Sequence, residues 1–209
     1  TNCTFENNTA DDYGGGMYNY NSSPTLENCT FTGNTAQKGG GMYNNNCEFG
    51  GTTLNNCTFT NNSADQGGGM YNNYSGPELT NCTFQNNSAS NGGGMYNEGP
   101  RITTLEDCTF TNNTAGSGGA IACSGTTIIG CNFIQNSATN GEGGGVLSYG
   151  GGPDNSPTIS NSIFCENIPD STSGNWNNKG GNEFLNTCGD IEGACCVKEA
   201  CYEVELIFC

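Results

Sequence analysis

The chain has 209 residues, of which 34 are Gly and 34 are Asn, and since both disfavour helix interiors a helical bundle is excluded. Leu, Ile, Val and Phe together number only 30, and with 20 acidic against 4 basic residues the net charge is −16, a balance typical of chains that stay unfolded. The acid excess repels phosphate backbones and anionic lipid, so nucleic acid is not an expected partner, and no apolar run is long enough to span a membrane.

Two features oppose disorder: 14 cysteines, and apolar residues that recur in register. NCTFENNTADDYGGGMYN begins at Asn2 and returns as NCTFTGNTAQKGGGMYN from Asn28, NCTFTNNSADQGGGMYN from Asn56 and NCTFQNNSASNGGGMYN from Asn81. It decays into DCTFTNNTAGSGGAIAC from Asp107, GCNFIQNSATNGEGGGVLS from Gly130 and NSIFCENIPDSTSGNWNNKGGNEF from Asn161. The positions Cys3, Cys29, Cys57, Cys82, Cys108, Cys131 and Ser162 are spaced by 26, 28, 25, 26, 23 and 31 residues. The chain opens inside a repeat with no leader-like segment, which reads as a processed form or a piece.

Each unit offers two β-capable runs, around TLENCTF and GGGMYN, separated by residues that suit turns. One unit cannot bury its few apolar side chains alone, whereas units stacked on one another can. The expected architecture is an all-β solenoid of about seven coils built from ~26-residue repeats over residues 1–188, with a Cys-rich tail over 189–209 as its cap.

Within a coil, Leu26 and Cys29 both belong inside although they are three apart, so Asn28 must bend the chain in the left-handed conformation that Asn tolerates. Asn2, Asn28, Asn56, Asn81 and Asn161 are accordingly expected to form an inner ladder of side-chain amides. Asn8, Asn34, Asn62, Asn87, Asn113 and Asn136 are expected to form a second ladder at the next corner. In GGGMYN, Met17, Met42, Met70 and Met95 are placed inside, and Tyr18, Tyr43, Tyr71 and Tyr96 outside as an exposed stripe.

The pairing of FxxN with GGGM or GGAI in each coil resembles the polymorphic outer membrane protein repeat and, more broadly, the right-handed parallel β-helix repeats of secreted bacterial surface proteins. The resemblance covers residues 1 to about 164. It implies a right-handed parallel β-helix, and a role in adhesion, display or cell-envelope structure.

The cysteines fall into two groups. Cys3, Cys29, Cys57, Cys82, Cys108 and Cys131 share one column and read as buried thiols packing as small hydrophobes. Cys165, Cys188, Cys195, Cys196, Cys201 and Cys209 crowd the end and suggest three bridges of undetermined connectivity. Cys47 and Cys123 pair locally, with Cys57 or Cys131, or stay free. This usage suits an oxidising exterior, so the protein is expected to be secreted or on a cell surface.

Catalysis finds little support. There is no histidine, and Lys38, Arg101, Lys179 and Lys198 fall on different coils or loops. No cofactor is expected beyond calcium, for which Asp11, Asp12 and Asp65 near the GGG turns are the candidates. Of the NxS/T sequons, those in NCT are assigned to the buried ladder, and Asn7, Asn61, Asn86 and Asn112 are the candidate glycosylation sites. The functional expectation is a non-enzymatic extracellular structural or adhesive protein, stacking head to tail with itself or meeting other surface proteins or carbohydrate. The competing expectation is a polysaccharide-binding or polysaccharide-degrading β-helix with an atypical site.

Overall fold

The structure, a computed structural model, describes residues 1–47, 51–149 and 155–188. Its strands are short, and every strand pair among the described residues is parallel. Three long sheets run the length of the solenoid. The Phe sheet has eight strands from Thr4–Glu6 to Glu183–Leu185. The Met sheet has seven from Met17–Tyr20 to Thr172–Ser173, and the Leu sheet seven from Thr25–Glu27 to Asn177–Asn178. A smaller sheet of Ser88–Asn91, Thr114–Ser117 and Ser137–Glu142 fills the stretch between the Phe and Met strands of the middle coils.

Every ladder joins a residue to its counterpart one coil away. Phe5 pairs with Phe31, Phe31 with Phe59, Phe59 with Phe84, and so on through Phe110, Phe133 and Phe164 to Phe184. The eight rings stack with centroids 4.6–5.2 Å apart and planes within 9°. From Phe31 to Phe164 all six are fully buried, each contributing about 1.5–3 kcal/mol of burial. Leu26, Leu54, Leu79, Leu105, Ile128 and Ile159 face them from the Leu sheet, and Met42, Met70, Met95, Ile121 and Val146 from the Met sheet, as one continuous core. A chain with few apolar residues thus buries them in three files instead of a globule.

Two columns of left-handed residues turn the corners. Asn2, Asn28, Asn56, Asn81, Asp107 and Asn161, with φ of 50–54°, separate the Leu strand from the Phe strand. Asn7, Asn61, Asn86, Asn112, Gln135 and Glu166, with φ of 51–56°, close the Phe strand. The glycine triplet has a different cause. Gly39 takes φ +65°, and a Cβ on Gly40 would lie 2.4 Å from the Ser63 carbonyl oxygen of the next coil. Only glycine lets adjacent backbones cross there.

The first Asn column corrects an expectation. Asn2, Asn28, Asn56, Asn81 and Asn161 do bend the chain, but their side chains are exposed and form no inner ladder. A left-handed residue between two inward positions carries its Cβ away from the axis. The NCT sequons are therefore exposed as well. The other expected ladder, one residue beyond the second left-handed column, does form: Asn34, Asn62, Asn87, Asn113 and Asn136 are buried and bonded from coil to coil, starting at the half-buried Asn8–Asn34 contact and continuing to Asn167.

Candidate functional site

Strand alternation on the Met sheet puts Met42 inward, Tyr43 outward and Asn44 inward. The inward asparagines form a buried ladder absent from the sequence reading: Asn19 Nδ2 donates to Asn44 Oδ1 at 2.8 Å, Asn44 to Asn72 at 2.8 Å, and Asn72 to Asn97 at 2.7 Å. Asn97 ends it by donating to Thr126 Oγ1 at 3.0 Å. The signal was present in the sequence, because in MYN an inward Met fixes an inward Asn two residues on.

The outward tyrosines form a ridge, but not the exposed stripe expected for all four. Tyr18 is 46% exposed, whereas Tyr43 is 3% and Tyr71 0%. Rings one coil apart stack at 5.0 Å for Tyr43–Tyr71 and 5.2 Å for Tyr71–Tyr96, so neighbours cover each other's faces. A flanking column covers their sides: Tyr13 stacks on Tyr43 at 4.9 Å, and the Lys38 ammonium lies 5.0 Å above the Tyr71 ring. Lys38 Nζ also donates to Tyr71 Oη at 3.4 Å, and Tyr71 in turn donates to the Glu98 carboxylate. Burial first, and then that carboxylate, push the Tyr71 hydroxyl far above its ordinary value. Burial likewise raises Tyr43 and Tyr96, and pushes Tyr149 up to about 12. Tyr43, Tyr71, Tyr96 and Tyr149 therefore stay protonated and are not sources of bases. Within the ridge the faces of Tyr43 and Tyr71 are covered, whereas Tyr13 and Tyr18 on the first coil stay about half exposed.

The acids proposed for calcium are not gathered. Asp11, Asp12 and Asp65 are exposed, and the Asp12 carbonyl is bonded to Lys38 while Asp65 is bonded to Gln37, which places a coil between them. Among the described residues the group of three that converges as ligands would is Cys165, Glu166 and Cys188, and its two sulfurs form a disulfide. Glu166 accepts from Gln135 Nε2 at 2.7 Å and from the Cys188 amide at 3.1 Å, which hold its carboxyl below the ordinary value.

Cys165–Cys188 joins the last coils with Cα atoms 5.7 Å apart, while Cys195, Cys196, Cys201 and Cys209 lie outside the described residues. Cys3 is an exposed thiol; Cys29, Cys47, Cys57, Cys82, Cys108, Cys123 and Cys131 are buried thiols, so Cys47 and Cys123 take no local partner. In the column each thiol donates to backbone carbonyls, Cys82 Sγ to Thr80 at 3.4 Å and Leu54 at 3.6 Å; the neighbouring Cys108 and then burial push Cys82 up to about 12, and Cys131 acts in the same way on Cys108. Asn7, Asn61, Asn86 and Asn112 stand exposed at their corners, each followed by a residue of the inner ladder, Asn8, Asn62, Asn87 and Asn113.

The described surface also carries grooves. One, of about 460 Å³, lies beside Asn167, Ile168 and Phe184, and another, of about 580 Å³, beside Tyr74, Glu78 and Arg101.

The sequence profile described as right handed beta helix region matches residues 1–164. No curated protein and no solved structure matches the chain.

Proposed function

The chain belongs to the right-handed β-helix family, and from that premise we propose that it is a non-enzymatic structural or adhesive module, secreted or held at a cell surface. The observation that carries this reading is the saturation of its buried asparagine ladder and the covering of its tyrosine ridge. The Asn8–Asn167 ladder bonds to itself and to backbone, and the tyrosine ridge is ring-stacked, with Tyr71 held protonated by burial. What remains outward is a set of long, evenly spaced rows on a stiff acidic body, suited to lateral contact with other surface proteins or carbohydrate. The in-register pairing that joins coils within the chain also suits end-to-end stacking of copies, because a head-to-tail contact of that kind propagates as a filament. Fold kinship alone leaves polysaccharide degradation open. The separation of Asp11, Asp12 and Asp65 and the lack of histidine in the sequence argue for the non-catalytic reading.

The test pairs two measurements. Incubation with acidic polysaccharides is expected to yield no new reducing ends and no unsaturated products, and electron microscopy at high concentration is expected to show rods joined end to end. Turnover would overturn the non-enzymatic reading, and dispersed single rods would remove the filament.

A further inference from the structure

The outward face of the Phe sheet carries two straight rows of threonine. The register aligns Thr30, Thr58, Thr83 and Thr109 in one row, and Thr32, Thr60, Gln85 and Thr111 in the other. Within a row the side chains repeat every ~4.8 Å, the distance between paired strands, and the rows stand ~6.6 Å apart, two residues along a strand. The seven threonines are half-buried, and none of their hydroxyls has a hydrogen-bond partner among the described residues. On the Leu sheet Thr158 donates to Thr127 at 3.4 Å, and Glu27, Glu78 and Glu106 stand on the outward face of its middle coils, where the Phe sheet has Thr and Gln.

We propose that this threonine face is an ice-binding surface, its ligand being crystalline water. The first argument is the two-dimensional repeat, which is close to that of the oxygen positions on a face of hexagonal ice. A hydroxyl both donates and accepts, as each water in that lattice does, and the methyl beside it fills the space between waters. The second is rigidity. Threonine is stiff at χ1, so equivalent hydroxyls point alike in successive coils. Directly behind them the fully buried rings of Phe31, Phe59, Phe84 and Phe110 stack at 4.6–4.7 Å. A preorganised array loses little freedom when it takes up ordered water, which is where a flexible surface would lose affinity. The third is charge. Across the four middle coils the eight positions carry no charged side chain in a chain of net charge −16, and the acids of this face, Glu6 and Glu183, stand in the terminal strands, so the central array matches an uncharged lattice. The inference does not depend on the adhesive reading.

The experiment uses the full chain and polycrystalline ice in frozen sucrose solution. Thr60→Lys places a charge in the centre of the face. Thr104→Lys places one on the outward face of the Leu sheet, beside Glu78. Thr60→Val keeps the shape and removes one hydroxyl, and circular dichroism verifies that each variant is folded. The parent chain is expected to slow ice-grain growth and to partition into a growing ice front. Thr60→Lys should lower that activity roughly tenfold or more, as for a central contact residue. Thr60→Val should lower it less, and Thr104→Lys should leave it unchanged. The proposal is overturned if the parent chain has no effect on ice, if both lysine variants lose activity equally, or if the parent binds microcrystalline chitin but leaves ice growth untouched.

Discussion

An asparagine side chain offers two donors and two acceptor sites, and Asn62 uses all four inside the solenoid. Its Oδ1 accepts from the backbone N–H and Nδ2 of Asn34, both at 3.0 Å; its Nδ2 donates to the Phe31 carbonyl and to Asn87 Oδ1, both at 3.0 Å. Removing it costs four buried groups one bond each, although Asn87 Oδ1 keeps the Asn62 backbone N–H and Asn34 Nδ2 keeps the Phe5 carbonyl, so Asn62→Ala is expected to destabilise by about 3–5 kcal/mol. Asn56, at the exposed left-handed corner of the same coil, does a different job, and only its backbone conformation matters. Asn56→Gly should cost little, and Asn56→Ala about 1–2 kcal/mol. Urea denaturation of the three variants measures this order; a loss for Asn56→Gly as large as for Asn62→Ala would contradict it. The same pair shows what sequence reading can and cannot resolve. The need for a left-handed residue at Asn28 and Asn56 followed from the spacing of Leu and Cys, but whether its amide faces in or out depends on the direction of Cβ at the bend, which spacing does not encode.

At the scale of the element, strand alternation governs which file a residue joins. It made Met42, Met70 and Met95 legible as core and Tyr43, Tyr71 and Tyr96 legible as outward, yet alternation does not report what covers an outward ring. Tyr71 became buried because Lys38 lies over it from the flanking column while Tyr43 and Tyr96 stack on it, all contacts made between coils. The thiol file is a second element-scale feature. Neighbouring thiols, and then burial, push Cys82 and Cys108 up to about 12, and burial alone does so for Cys123. A thiol raised in the folded state keeps its proton where the unfolded chain has lost it. Its contribution is therefore complete below the unfolded value near 8.5 and declines as pH rises toward about 12. The urea midpoint is expected to fall between pH 8 and pH 10.5. At pH 8 a thiol-specific reagent should label Cys3 in the folded protein while leaving Cys82, Cys108 and Cys123 unreacted until denaturant is added. Rapid native labelling of Cys82, or a flat midpoint across that range, would contradict the buried file.

At the scale of the molecule, the fold was the most legible feature, because a recurring period carries information that composition does not. Judged by charge and apolar content the chain belongs with disordered proteins; judged by register it builds a dry interior one coil at a time. The acids were the least legible. Asp11, Asp12 and Asp65 resemble one another in local context, but they lie on coils separated by the one that carries Gln37, a separation set by the stacking axis. The account rests on identical side chains lying over one another along that axis, and ring-selective labelling of phenylalanine tests it most directly. In nuclear Overhauser spectra the Phe59 ring protons should give cross-peaks to both Phe31 and Phe84, from the preceding and following coils, at the close approach set by centroids 4.6 and 4.7 Å away. Cross-peaks from Phe59 only to residues of its own coil would contradict the stacked solenoid and everything built on it.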